Sequence, residues 1–325
     1  MAADKVIRPV APARGAEVVV SDSVPPQAHR FSGFADLYDA NRPSPPLELG
    51  ALLRSYGCVS HPVVVDLGSG TGLSSRWAAE WAQSVTGIEP SADMRRRAAD
   101  RGGHTITYLP GTSDRTGLSD RCADVVLAVQ AMHWMDPTAT HREVARILRP
   151  GGVFATVDAD WPPVSGVVEA EAAWAVVHKR IRVFEARLAV GADQAELRRP
   201  IDDADPALVD EDLADPHRNR AMPGGVRSWS KSEHLTRMKT SGLFSFAREL
   251  VFDAPVHGES SAERFVALLR SQGSYQALAK AGLTDAEIGA DTFERDAYGG
   301  FAAAGAQGRE PRISFSWRVR LGVVD

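Results

Sequence analysis

Residues 63–75 read VVVDLGSGTGLSS. The β-branched run that ends at Asp66 and Leu67 suits a strand buried on both faces. Gly68, Gly70 and Gly72 then alternate with small polar residues, giving a turn with almost no side chains, and TGLSSRWAAEWAQ continues with helical spacing. Working outward, SVTGIEP is a second short strand, SADMRRRAADRG a second helix, and TITYLPG and ADVVLAVQ two further strands. THREVARILRPGG reads as a helix and GGVFATVDA as the fifth strand. Thr140 and Glu143 match the S/T-x-x-E capping signature, and Pro150-Gly151-Gly152 ends that helix. Upstream, FADLYDANRPSPPLELGALLRSYG predicts a short helix broken at the prolines and a second from Pro46 to Gly57. Strands separated by helices of this length imply an α/β doubly wound sheet, mostly parallel, whose ligand sits at the carboxyl ends of the strands.

After Trp161 the rhythm changes. Trp174, Val177, Ile181, Phe184 and Leu188 form one apolar stripe, the mark of a long amphipathic helix packed as a cap over the sheet. Residues 201–215 contain seven acids and no base, and read as a mobile, solvated loop. The core resumes near Ser230 with a capped helix in SKSEHLTRMKTSG, a strand in LFSFARELVF and two helical stretches. Ile313, Phe315, Trp317, Val319 and Leu321 then share one face, as an edge or antiparallel strand should. The expected organisation is a disordered tail over 1–30, a ligand-binding core over 31–160, a helical cap insertion over 161–228, and a C-terminal part of the core over 229–325 with helices on the substrate side.

Composition narrows the function classes. With 37 basic against 42 acidic residues, the net charge of −5 disfavours a nucleic-acid partner and points to a small molecule. Cys58 and Cys122 lie far apart and outside any C-x-x-C spacing, so neither a disulfide framework nor a metal site is expected. No segment approaches the ~20 apolar residues of a membrane span, and a soluble cytoplasmic chain is expected, its oligomeric state unspecified.

Three ligand classes use a strand, a glycine turn and a helix. A P-loop requires a lysine after its glycines, and there is none here. A dinucleotide site requires G-x-G-x-x-G, but the position that spacing demands holds Leu73, and Asp66 would repel a pyrophosphate. A ligand carrying an ammonium suits a carboxylate beside bare backbone N–H groups. DLGSGTG resembles the D/E-x-G-x-G-x-G signature of class I S-adenosylmethionine-dependent methyltransferases.

That resemblance implies a Rossmann-like, seven-stranded sheet with an antiparallel last strand, and S-adenosyl-L-methionine as cofactor. Gly68, Gly70 and Gly72 would lie against its methionine half, with Asp66 steering the ammonium directly or through water. Glu89 ends the second strand, where a carboxylate can accept both ribose hydroxyls, although an acid so placed fits any adenosine. Pro90 would pack on the adenine face. PGTSDRTGL resembles the family's G-x-A-E-x-T-G-L turn, setting Thr112 and Ser113 at the adenine edge.

VQAMHWMDP resembles the Q-A-x-H-W segment of the small-molecule branch of methyltransferase type 11 that includes trans-aconitate methyltransferase-like proteins. With FADLYDANRPSPP and WSKSEHLTRMKTSGLF, that likeness runs over residues 31–325 and is weakest in the cap. It implies that Tyr38 and Arg42 close over the cofactor, Arg42 near its carboxylate, and that Gln130 offers backbone contacts. Methyl transfer is an in-line displacement on an activated sulfonium, so the protein aligns the nucleophile, and a base is needed only when the nucleophile arrives protonated. His133 is the candidate base, the alternative being a histidine that shapes the pocket; Trp134 is the candidate acceptor wall. The expected activity is methyl transfer to a small-molecule acceptor, with oxygen preferred. The rivals are a non-catalytic S-adenosylmethionine-binding protein and a nucleic-acid methyltransferase, the latter lacking its N/D-P-P-Y/F segment here.

Overall fold

The computed structural model describes residues 41–201, 221–222 and 226–325. The expected tail over 1–30, Tyr38 and nearly all of the acidic loop lie outside the described residues. The fold is built on seven strands in one sheet: β1 (Val63–Leu67), β2 (Ser84–Ile88), β3 (Ile106–Leu109), β4 (Ala123–Val129), β5 (Leu148–Ala159), β8 (Phe246–Pro255) and β9 (Ser314–Val323). Their order is β3-β2-β1-β4-β5-β9-β8. The first five run parallel, β9 is antiparallel to β5, and β8 is antiparallel to β9. Two short strands, β6 (Ala221–Met222) and β7 (Val226–Arg227), form a separate ribbon.

Both faces of the central strands are covered, so neighbouring residues of one strand serve different cores. Val64, Val125 and Val153 face one side, with Leu53 of α1 (Leu47–Gly57) and Trp77 of α2 (Leu73–Ala79). Val65, Val126 and Phe154 face the other, with Val144 and Ile147 of α4 (Pro137–Ile147). Between these helices, α3 (Ala92–Asp100) joins β2 to β3 and is N-capped by Ser91, whose hydroxyl accepts from the Met94 N–H. The crossing from β1 to β4 is where the strand order reverses, and it opens a crevice at the carboxyl ends.

The apolar stripe after Trp161 is α5 (Val168–Ala189), with Trp174, Val177, Ile181 and Phe184 buried. Trp174 packs on Phe265 of α8 (Ala262–Arg270) and Phe293 of α11 (Ala290–Ala306), at ring-centroid distances of 5.0 and 5.5 Å. The same apolar cluster contains Phe315 and Trp317 of β9, so the helical cap and the sheet share one continuous core. The short helices α6 (Gln194–Leu197), α9 (Gly273–Lys280) and α10 (Asp285–Ile288) frame α5, and α7 (His234–Thr240) precedes β8.

One local expectation is corrected. α4 is capped by Asp136, which accepts from the Ala139 N–H at 3.0 Å with Pro137 in the first turn, not by Thr140. Thr140 and Glu143 serve tertiary contacts instead: Thr140 pairs with Ser113 at 2.8 Å, and Glu143 accepts from the Thr116 N–H and hydroxyl. The alternating β9 is antiparallel, as one of the two expected arrangements has it; it lies inside the sheet, and β8 takes the edge.

Candidate functional site

The turn after β1 sets the geometry. Gly68, Gly70 and Gly72 all have positive φ, at 68°, 55° and 83°, a region open to glycine and costly for other residues. The turn is clamped to β2, because the Gly68 and Ser69 N–H groups both donate to the Ile88 carbonyl, at 2.8 and 3.2 Å. A Cβ on Gly70 would meet nothing within 4 Å, so that backbone is bare toward open space. A Cβ on Gly72 would lie 2.2 Å from the Tyr108 hydroxyl. Gly72 is therefore bare for a neighbouring tyrosine, and it does not border the cavity described next.

That cavity encloses about 380 Å³ at the carboxyl ends of β1, β2 and β4. Gly68, Ser69 and Gly70 form one wall, Glu89 and Pro90 a second, and Thr112 and Ser113 a third. Gln130, Trp134 and Trp229 close the side toward α4, and Arg42 stands at the N-terminal side with its guanidinium carbon 4.8 Å from the Trp161 ring centroid. Of the site residues anticipated from sequence, nine line one cavity, namely Arg42, Gly68, Gly70, Glu89, Pro90, Thr112, Ser113, Gln130 and Trp134. Tyr38 lies outside the described residues.

Glu89 is 7% exposed, and both of its oxygens are held: Oε2 accepts from the Gly70 N–H at 3.1 Å and Oε1 from the Ser91 N–H at 2.8 Å. Burial pushes its carboxyl above the ordinary value, while the bonds from Ser91 and Gly70 and the Arg95 charge oppose the rise. Gln130 directly follows β4 with a positive φ of 52°, its N–H donating to the Val157 carbonyl at 2.8 Å, which turns the chain along the cavity wall. Ser69 Oγ is buried on the cavity wall without a hydrogen-bond partner among the described residues.

Asp66 and His133 do not border the cavity. The Asp66 carboxylate is fully buried and accepts at Oδ2 from the Ser74 and Ser75 hydroxyls, at 2.7 and 2.6 Å. Burial raises its pKa from 3.8 to about 6, against those two bonds. Asp66 thus pins β1 to the first turn of α2, with Ser74 standing between it and the cavity. His133 lies in the 3-10 turn Met132–Trp134 at 6% exposure. Its ring packs on Trp134 with centroids 4.7 Å apart, and its carbonyl accepts from the Trp229 N–H at 2.9 Å. The ring thus sits behind Trp134, which does line the cavity.

Sequence reasoning passed over Trp229 and Lys231. Trp229 lines the cavity, and Lys231 Nζ donates to Gln130 Oε1 at 3.2 Å and pairs with Asp158 at 2.8 Å. The signal was local, a tryptophan and a lysine between serines in SWSKSE, but its place beside Gln130 depends on the fold. Among the described residues no cluster of His, Cys, Asp and Glu could hold a metal, and no helix is long and apolar enough to cross a membrane.

Comparison with known proteins points to a methyltransferase domain. Residues 65–156 match the family model of a methyltransferase domain. An uncharacterized methyltransferase of Mycobacterium bovis is 36% identical over 123 residues, covering 38% of this chain and 49% of the relative. A malonyl-[acyl-carrier protein] O-methyltransferase of Pectobacterium atrosepticum is 38% identical over 99 residues, 28% of this chain and 36% of the relative. The chain therefore spans about half the length, or less, of these curated relatives. A putative type II methyltransferase structure from Anaeromyxobacter dehalogenans shares the fold, with a TM-score of 0.51 at 22% identity over 87% of this chain and 97% of that one.

Proposed function

We propose that the chain, whose residues 65–156 match the family model of a methyltransferase domain, moves a methyl group from S-adenosyl-L-methionine to an oxygen of a small-molecule acceptor. The observation that carries the reading is the convergence of Gly70 and Glu89 on one cavity wall, the carboxylate at the β2 end and the bare backbone at the β1 end. Both fit the cofactor. A buried carboxylate held by two backbone N–H groups is a fixed acceptor for vicinal ribose hydroxyls, and the unpartnered Ser69 Oγ and open face of Gly70 suit the polar methionine end.

In this reading Pro90 packs on the adenine face, Thr112 and Ser113 border its edge, Arg42 attracts the carboxylate and Gln130 contributes backbone. When bound, S-adenosylmethionine supplies the activated methyl group. The chain's own contribution is alignment and exclusion of water by Trp134 and Trp229, whose indoles wall the side toward the acceptor. An acceptor arriving as a carboxylate needs no base, which accords with a His133 ring set off the cavity. The matching O-methyltransferase relative supports oxygen as the acceptor atom.

The test is to incubate the full chain with S-adenosylmethionine and a panel of carboxylic acids, phenols and amines, following S-adenosylhomocysteine release and product mass. Methylation of an acid or phenol is expected. Turnover on amines alone would overturn the oxygen assignment, and tight cofactor binding without turnover on any acceptor would replace the enzyme with a binding protein.

A further inference from the structure

Residues 228–231 lie directly after the β6–β7 ribbon and cross the carboxyl ends of β4 and β5. Two attachments hold them. The Trp229 N–H donates to the His133 carbonyl at 2.9 Å, and Lys231 Nζ reaches both Asp158 Oδ1, at 2.8 Å, and Gln130 Oε1, at 3.2 Å. Asp158 is 3% exposed near the end of β5, and its other oxygen accepts from Arg320 Nη1 at 3.0 Å. Beyond it, Arg320 pairs with Glu249 at 2.7 Å, while Arg318 bridges Glu249 and Asp160, each at 2.9 Å. Three acids and three bases thus balance beside β5, β9 and β8; Asp160 directly follows β5, and Lys231 is the member that comes from outside the sheet. Burial alone would push the Asp158 carboxyl up, but the Lys231 ammonium and Arg320 guanidinium hold it below the ordinary value.

A buried ion pair is a poor source of net stability, since desolvation opposes the attraction, and its better-attested use is to fix one arrangement. Here the arrangement concerns the cavity. Lys231 is two residues from Trp229 and bonded to Gln130, and both of those residues line the cavity wall.

We propose that Lys231 is a positioning residue: clamped on Asp158, it fixes Trp229 and Gln130 as one wall of the cofactor cavity. The proposal rests on the methyltransferase reading. It is tested by calorimetric titration of S-adenosylhomocysteine into the full chain and into K231M, K231R, W229A and the K231M/W229A double variant, each checked for folding by thermal melting. K231M and W229A should each weaken binding roughly five- to tenfold, and the double variant should be no more than about twofold worse than the weaker single, because both act on one wall. K231R should return to within about threefold of wild type. K231M binding like wild type, multiplying effects in the double variant, or no recovery in K231R would overturn the clamp while leaving the cofactor assignment standing. Absence of binding by the wild-type chain would overturn both. Should K231M fail to fold, K231Q, which keeps a donor without the charge, takes its place in the same cycle.

Discussion

Replacing Glu89 by glutamine is the most discriminating perturbation. Each carboxylate oxygen accepts one backbone N–H, from Gly70 at 3.1 Å and from Ser91 at 2.8 Å. An amide can satisfy only one of them; its NH2 must then face a second donor. The carboxylate also supplies the charge that strengthens bonds from ribose hydroxyls, and a hydrogen bond to a charged group is worth about 1.5–3 kcal/mol. Losing one such bond, at about 1.4 kcal/mol per tenfold in affinity, weakens S-adenosylhomocysteine binding by roughly 10- to 150-fold. The assay is isothermal titration of E89Q beside wild type, with a thermal melt to separate loss of affinity from loss of fold. A folded E89Q that binds within twofold of wild type would refute the assignment of Glu89 to the ribose and, with it, the placement of the cofactor.

The Asp66 pin has a pH signature. Its folded pKa, about 6, lies above the ordinary 3.8, so the native state binds a proton more readily than the unfolded chain. This stability is fully present below about pH 4 and is lost as pH rises through about 6. The span corresponds to roughly 3 kcal/mol, and denaturant melts of wild type minus Asp66→Asn across pH 4 to 7 should show that falling slope; a flat difference would show that the carboxyl is not shifted. Gly72→Ala places a methyl on the Tyr108 hydroxyl at a positive φ, and should destabilise the fold by roughly 2–4 kcal/mol, partly relieved in the G72A/Y108F double variant; equal melting of G72A and wild type would remove Tyr108 as the reason for that glycine. Trp174→Ala should cost about 3–5 kcal/mol in a single cooperative transition, since cap and sheet share one core; a separate low-temperature transition would mean that the cap melts independently.

The alternation of strand and helix was legible because the central strands are buried on both faces, so that runs such as VVVDL and ADVVLAV carry their state in composition. The glycine turn and Glu89 were legible for a related reason: backbone conformation and strand-end position follow from local spacing. Side-chain direction was not. Asp66 occupies the anticipated position, yet the Ser74 and Ser75 hydroxyls in the next helix turn capture its carboxylate. The capping signature at Thr140 and Glu143 failed because partners distant in sequence, Ser113 and Thr116, claim both side chains, while Asp136 and Pro137 begin the helix earlier. Trp229 and Lys231 stayed hidden because only the fold brings them to Gln130, about a hundred residues away in the chain.

The interior place of β9 carries a kinetic consequence. Among the described residues, the outer side of β5 and the whole inner side of β8 are paired through residues 314–323 alone. During synthesis, therefore, the ligand-binding half can assemble while two ladders of N–H and C=O groups stand open, awaiting a segment that emerges some 150 residues after β5. Open ladders of this kind are templates for pairing with other chains. For this protein the interval before β9 arrives is the window in which aggregation competes with folding.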